Sequence, residues 1–221
     1  MNLFLTSYGL GGHDALLLDM AGGPAARMAI ITNALDAVPI EAQQAYWRIR
    51  PDVLIEMTVL GFDASLIDLR RFFGRPDDLA TILRPYRAIW AVGGNSFLLR
   101  RAMRDSGFDA VVREKLADGC LYGGMSAGAC VAGGDLQPVA MMDSPDERAP
   151  GYASDDSIMS GLGLVPFTII PHYDSDSAEA EEAAQGVAFA EAQGVPHVGL
   201  RDGEVIVRRS DAIETLPKKT A

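Results

Sequence analysis

Residues 120–130 read CLYGGMSAGAC, an apolar start followed by glycines on either side of Ser126. Residues 120–122 predict a short strand, and residues 129–132 predict a helix of small side chains. Between them, residues 124–128 form Gly-x-Ser-x-Gly, the pattern of a sharp strand-to-helix turn that holds a serine hydroxyl clear of a sheet. A plain glycine-rich turn that packs a helix closely on a sheet would use the same residue types. The preceding strand and the following helix favour the first interpretation, with Ser126 as a nucleophile.

Strand-like and helix-like segments alternate along the rest of the chain. Strands are predicted over 2–7, 27–33, 65–69, 87–92 and 167–170, and a hairpin over 198–200 and 204–207 with its turn at Asp202-Gly203. Helices are predicted over 41–50, 52–60, 76–83, 97–104, 108–117 and 178–192, and residues 135–161 are predicted to be irregular. Such alternation is typical of a mostly parallel sheet covered on both faces. We therefore predict one α/β domain over 1–221, a three-layer sandwich with a mostly parallel central sheet.

The composition is that of a globular protein, with 48% apolar residues, 22% charged residues and a mean hydropathy of +0.10. No apolar run approaches the roughly 20 residues of a membrane helix, and the chain starts without a basic leader. The net charge of −11 is opposite in sign to the surface that nucleic acid requires. Cys120 and Cys130 are too few for a disulfide framework, and we expect both in the core. These features predict a cytoplasmic protein without a membrane or nucleic-acid partner.

Three predicted strands end in residues suited to catalysis, and the carboxyl ends of parallel strands meet at one edge of a sheet. One ends at the Ser126 turn, and another ends just before His172. A serine nucleophile usually needs a base within hydrogen-bond reach, so His172 is predicted to be that base. The other histidines fit less well, because His197 starts a strand and His13 lies in a glycine-rich loop, from which it would at most line the pocket.

The third strand runs into Gly93-Gly94-Asn95-Ser96, which offers exposed backbone N–H groups. The N–H groups of Gly94 and Ala127 are predicted to bind a developing oxyanion. Asn95 or Ser96 also suits the N-cap of the helix that follows.

Together these segments resemble a known family. Residues 91–96 (AVGGNS), 122–129 (YGGMSAGA) and 170–174 (IPHYD) look like the three sequence blocks of the peptidase E family, in order and at similar spacing. The resemblance implies a fold like the class I glutamine amidotransferase domain, with Ser126 as nucleophile, His172 as base and Gly94 and Ala127 in the oxyanion hole. It also implies hydrolysis of a small peptide through an acyl-enzyme, without metal or cofactor, in a homodimer. An amidotransferase of this fold would have cysteine at the turn, so the serine argues against glutamine hydrolysis.

The resemblance also implies an acid after the serine that orients the histidine. The loop after Ser126 offers Asp135, Asp143, Asp146 and Glu147. Of these, Asp143 best fits that position, and Asp174 is its main rival. Asn95, Tyr173 and Asp174 are predicted to contact the substrate, with Asp174 as a candidate for holding a free α-amino group.

The segment after His172 departs from the pattern of the family. Its aspartyl dipeptidases carry an arginine after the histidine strand to bind the side-chain carboxylate of the substrate, whereas this chain has no Lys or Arg between Arg148 and Arg201. Acids fill the segment after His172 instead, and a carboxylate pocket built there would have the wrong charge. Arg100 and Arg201 remain candidate substitutes. Two other functions stay open: an esterase or amidase with the same Ser-His site, and a binding protein of the same fold without activity.

Overall fold

A seven-stranded sheet forms the centre of the computed structural model, which describes residues 1–43, 52–152, 156 and 158–219. Its strands are β1 (Asn2–Thr6), β2 (Arg27–Ile31), β3 (Asp63–Ile67), β4 (Ala88–Ala91), β5 (Leu121–Met125), β8 (Val205–Arg209) and β9 (Ala212–Leu216). Their order across the sheet is β3-β2-β4-β5-β1-β8-β9. β3, β2, β4, β5 and β1 run parallel, and β8 and β9 are antiparallel additions at one side.

The helices of the described residues lie between the strands in the chain. They are α1 (Asp14–Met20), α2 (Val53–Leu60), α3 (Pro76–Leu83), α4 (Ser96–Ser106), α5 (Phe108–Ala117), α6 (Ala127–Cys130) and α7 (Ala180–Gln193). Short 3-10 turns lie at Asn33–Leu35, Leu69–Phe72 and Pro138–Met141. Helix ends follow local chemistry: Asp52 accepts a hydrogen bond from the backbone N–H of Leu54 at the start of α2, and Gly61 ends that helix in the left-handed region.

Two apolar layers cover the sheet. One contains Leu3, Leu5, Ile31 and Ile89 with residues of α4 and α5, and the other contains Phe4, Ile30 and Trp90 with residues of α1 and α2. Because alternate residues of one strand enter different layers, the central strands are buried on both faces, as expected for a parallel sheet. The predicted mostly parallel α/β fold is confirmed. None of the described helices has both the length and the apolar character needed to cross a bilayer.

Most predicted elements are present with ends shifted by a few residues, but the predicted hairpin is wrong. β7 (His197–Gly199) pairs in parallel with β6 (Thr168–Ile170) in a separate two-stranded sheet. The antiparallel hairpin joins β8 and β9, and Ser210 in its turn has a φ of 55°. β9 and α1 were not predicted. The helix expected over 41–50 lies largely outside the described residues.

Candidate active site

Ser126 lies on a strained turn between β5 and α6. Its φ of 50° and ψ of −113° lie in a region that residues other than glycine rarely adopt. Its backbone N–H lies 3.0 Å from the carbonyl oxygen of Thr6 and 3.1 Å from that of Ser7, so the end of β1 holds the turn. This is the geometry of a serine presented at the carboxyl end of a parallel strand.

The glycines around Ser126 are required by close contacts with neighbouring backbone and with one aromatic ring. A Cβ atom on Gly124 would lie 2.2 Å from the carbonyl oxygen of Gly128, and one on Gly128 would lie 2.1 Å from that of Ala91. A Cβ atom on Gly123 would meet the Trp90 ring at 2.4 Å. The turn can therefore fold tightly against β4 only without these side chains.

His172 reaches Ser126 from the end of β6. Its Nε2 atom lies 3.2 Å from the Ser126 Oγ, and the residue is 5% exposed. The backbone N–H of His172 donates to the Ser7 Oγ at 2.7 Å, and its φ of 62° turns the chain sharply after Pro171. The structure thus brings the predicted nucleophile and base within hydrogen-bond reach, although β6 is not a strand of the main sheet.

Asp202 is the acid beside the other ring nitrogen. Its Oδ1 lies 2.9 Å from the His172 Nδ1 and also accepts the hydroxyl of Ser7 at 2.7 Å. The backbone N–H of Asp202 donates to the Ser175 Oγ at 2.8 Å. An acceptor at Nδ1 holds the neutral imidazole in the tautomer whose Nε2 is free to accept the serine proton.

Asp143 does not take the position expected of it. Its Oδ2 accepts the backbone N–H of Ser96 at 2.8 Å, whereas the His172 Nδ1 contacts Asp202. Burial raises the pKa of Asp143 to about 6 because it disfavours the charged form; the hydrogen bonds from Ser96 oppose the rise, the nearby Glu179 adds to it, and His172 also opposes it. Asp174, the rival, pairs with the guanidinium of Arg201 at the surface. The carboxylate that contacts the His172 Nδ1 is therefore that of Asp202, and not that of Asp143 or Asp174.

Glu179 is a second acid at the imidazole. Its Oε2 lies 3.0 Å from the His172 Nε2, close to the Ser126 Oγ, although its side chain is 61% exposed. The contact is attractive only when Nε2 carries a proton. Glu179 therefore places a carboxylate beside the nitrogen that faces Ser126.

The remaining predicted residues fall into two groups. Gly94 adjoins Ser126 in the wall of both cavities described below, and Ala127 is the first residue of α6, where a backbone N–H has no intrahelical acceptor. The other group has structural contacts. Asn95 caps α4 through the N–H of Leu98 and donates to the Ser144 carbonyl, and Tyr173 packs against Gly199 of β7.

The other histidines and the cysteines lie in structural settings. The His13 Nε2 contacts the Pro217 carbonyl oxygen at 2.9 Å, and the His197 Nδ1 contacts that of Val195 at 2.9 Å. Both cysteines are buried, as expected, and burial raises the pKa of Cys120 to about 11 and that of Cys130 further. A thiol in such surroundings stays protonated and is a poor nucleophile.

Two cavities meet at Ser126. The smaller, of about 150 Å³, is lined by Gly94, Cys130, Val139, Met142, Asp143, Pro171 and Glu179 as well as Ser126. The larger is an open groove of about 1020 Å³ that also reaches His172 and Asp202. Among the described residues, no group of three or more His, Cys, Asp or Glu side chains is arranged to hold a metal ion.

Sequence reasoning missed Asp202, Glu179 and Ser7. A signal for Asp202 was present, because it follows a predicted strand closely, as His172 follows β6. Interpreting residues 198–207 as a hairpin concealed it. Because β7 pairs in parallel with β6, with Ile170 opposite Gly199, the residues just beyond both strand ends are neighbours.

The fold and the site define a class: α/β proteins in which a strained strand-to-helix turn presents a serine to a histidine that contacts an acid. A sequence profile of peptidase family S51 matches residues 19–216. Because this match covers most of the chain, the protein belongs to peptidase family S51. The resemblance carried by the three sequence blocks is confirmed.

Several individual proteins that are similar in sequence to this chain are also named as peptidases. Over 196 residues the chain is 26% identical to peptidase E of Shewanella sp. strain W3-18-1, covering 83% of this chain and 79% of that one. Over 99 residues it is 35% identical to the uncharacterized peptidase Lin0382 of Listeria innocua, a match that spans 45% of each chain and so under half the length of that relative. Over 142 residues it is 34% identical to peptidase E of Streptomyces coelicolor, covering 62% of this chain and 54% of the other.

Solved structures share the fold. A crystal structure of a protein from Listeria monocytogenes EGD-e, described as a candidate peptidase E, superposes with a TM-score of 0.76 at 23% identity over 98% of both chains. A peptidase from an acI-B1 actinobacterium gives a TM-score of 0.66 at 15% identity, over 98% of this chain and 87% of that one.

Proposed function

We propose that this protein is a serine peptidase that hydrolyses small peptides through an acyl-enzyme, with Ser126, His172 and Asp202 as its catalytic residues. The observation that carries the proposal is the continuous chain of contacts from the Ser126 Oγ through both ring nitrogens of His172 to the Asp202 carboxylate. Membership of a peptidase family supports the reaction class.

In the first step His172 Nε2 takes the proton from the Ser126 Oγ as that oxygen attacks the scissile carbonyl carbon. The carboxylate of Asp202 at Nδ1 stabilises the resulting imidazolium and keeps its orientation, and Glu179 places a second negative charge near Nε2. The imidazolium then protonates the leaving amine, which leaves an ester on Ser126. Water hydrolyses that ester with His172 again as the base.

The backbone N–H groups of Gly94 and Ala127 are the proposed donors to the tetrahedral oxyanion. Gly94 lies beside Ser126 in both cavities, and its Cβ would lie 2.5 Å from the carbonyl oxygen of Ala34, so only glycine fits there. Removing one such donor from other enzymes costs roughly a factor of 100 to 1,000 in kcat.

Hydrolysis of a panel of X-Leu dipeptides tests the proposal. Wild type is expected to release free leucine from some members, and Ser126→Ala from none above background. Ser160→Ala, which changes an exposed serine outside both cavities, is the matched control and should keep wild-type activity. Equal hydrolysis by wild type and Ser126→Ala would refute the proposal, and cleavage of esters alone would assign the site to an esterase.

A homodimer, which the family resemblance implies, and a cytoplasmic location, which the composition predicts, stay predictions.

A further inference from the structure

The groove beside Ser126 has an apolar wall built by several elements. Its side chains come from the turn after β2, from α2, from β4 and from the end of β5, and include Leu35, Val38, Met57, Trp90, Val92 and Met125. A volume of about 1020 Å³ is ample for a large apolar side chain. Sites for small molecules are typically concave and mainly apolar, and this wall of the groove has that character.

The Asp, Glu, Lys and Arg side chains that line the groove among the described residues are all acidic. Glu56, Asp176, Glu179 and Asp202 line it, and the described lining residues include no Lys or Arg. The two arginines that the sequence offered as carboxylate receptors are paired elsewhere. Arg100, which is buried, pairs with the partly exposed Asp109, and Arg201 binds Asp174.

These surroundings disfavour an acidic substrate side chain. A carboxylate that left water for this groove would lose hydration, meet like charges and find no cationic partner among the described lining residues. A leucine or phenylalanine side chain would replace water against apolar carbon.

Building on the proposed function, we propose that the groove binds an apolar side chain next to the scissile bond, so that the substrates are peptides with a large apolar residue there rather than aspartyl peptides. Specificity for the substrate side chain then depends on the apolar wall of the groove, which contains Val38 and, from α2, Met57.

Calorimetric binding to the Ser126→Ala protein tests this without any turnover. The ligands are Ala-Ala, Leu-Ala, Ala-Leu, Asp-Ala and Ala-Asp, which place each side chain on either side of the peptide bond. At one of the two positions leucine is expected to bind at least about tenfold more tightly than alanine. Aspartate at that position is expected to bind more weakly than alanine.

A charge introduced into the groove wall supplies the second measurement. Val38 is 38% exposed and lines the groove, so Val38→Arg in the Ser126→Ala background places a cation there with little cost to folding. The ratio of leucine to aspartate affinity should fall at least tenfold. Ile40→Arg, two residues away at a 58% exposed position outside the groove lining, should leave the ratio unchanged.

Aspartate binding as tightly as leucine at both positions would overturn the inference. So would a failure of all five peptides to bind, or an equal effect of Val38→Arg and Ile40→Arg. Because binding is measured without a nucleophile, these outcomes are distinct from a failure of the proposed chemistry, which is read by hydrolysis in wild type.

Discussion

Asp202 and Asp143 are two carboxylates near His172 with different surroundings. Asp202 is held by Ser7 and Ser175 and faces the His172 Nδ1, whereas Asp143 faces the N–H of Ser96. The acid that contacts the His172 ring nitrogen Nδ1 is therefore Asp202, and the proposed orienting role of the two acids can be separated by mutation.

Asp202→Asn is expected to lower kcat for dipeptide hydrolysis by a factor of roughly 100 to 10,000, because the amide favours the wrong tautomer of His172. Asp146→Asn, an exposed change outside both cavities, is the matched control and should not alter kcat. A larger loss of kcat in Asp143→Asn than in Asp202→Asn would return the orienting role to Asp143.

Asp143 also predicts a dependence of stability on pH. Its pKa is raised to about 6, so the folded protein holds this proton more tightly than the unfolded chain does, and stability falls as pH rises from about 4 to about 6. A pKa difference of one between the folded and unfolded states corresponds to about 1.4 kcal/mol. A rise from 3.8 to about 6 therefore changes the free energy of unfolding by at most about 3 kcal/mol. Asp143→Asn removes it.

Urea unfolding at pH 4.5 and 7.5 measures this effect. The free energy of unfolding of Asp143→Asn minus that of wild type should rise by about 1–3 kcal/mol between the two values. Asp146→Asn should show no such rise. A difference that is constant, or that falls with pH, would show that burial does not raise the pKa of Asp143.

At the level of single residues, the sequence predicted the meeting of Ser126 and His172, because both lie just beyond the ends of strands. Their catalytic roles stay predictions. Glu179 could not be found in this way, because it lies in an acidic segment where any of several carboxylates had equal standing. Its contact with His172 depends on how the loop after β6 folds back.

Among the elements, the turn from β5 into α6 depends most on close packing. A Cβ on Gly128 would lie 2.1 Å from the carbonyl oxygen of Ala91 and 3.0 Å from the Ala91 Cβ. Because the contact is with backbone, the helix must move away from β4, and Ser126 moves with it.

Gly128→Ala is therefore expected to destabilise the protein by about 1–3 kcal/mol, the usual cost of overpacking, and to reduce hydrolysis. Gly134→Ala is the matched control, since Gly134 has no positive φ and a Cβ added there would have no atom within 4 Å. Urea unfolding of both variants reads the difference. Equal stability of the two would mean that α6 does not pack on β4 as closely as described.

Element prediction succeeded where sequence patterns are local. α3 and α5 have the predicted bounds because Pro76 opens one and Gly107 with Gly119 flanks the other. It failed for β7, because Asp202-Gly203 is a common hairpin turn, whereas the pairing of β7 with β6 joins strands separated by a whole helix. Long-range pairing leaves no local signature.

Across the whole molecule, the excess of acidic residues reinforces the charge of the groove. The net charge of −11 and the acids beside Ser126 repel anionic ligands at a distance, and salt screens this repulsion.

Ionic strength should therefore act on substrates according to their charge. Between about 20 and 500 mM salt, kcat/KM of Asp-Leu relative to Leu-Leu should rise a few-fold, and that of Lys-Leu relative to Leu-Leu should fall. Leu-Leu carries no net charge and serves as the internal reference. A ratio for Asp-Leu that falls with salt would indicate a cationic receptor for the carboxylate.

The proposed chemistry requires that a hydroxyl at position 126 be activated by the imidazole at position 172. The most direct measurement is the rate of phosphonylation by a fluorophosphonate, with the adduct located by peptide mass spectrometry, in wild type and His172→Ala. One adduct on Ser126 is expected, formed at least about 100-fold more slowly in His172→Ala. An adduct on another residue, or equal rates in the two proteins, would contradict the activation of Ser126 by His172.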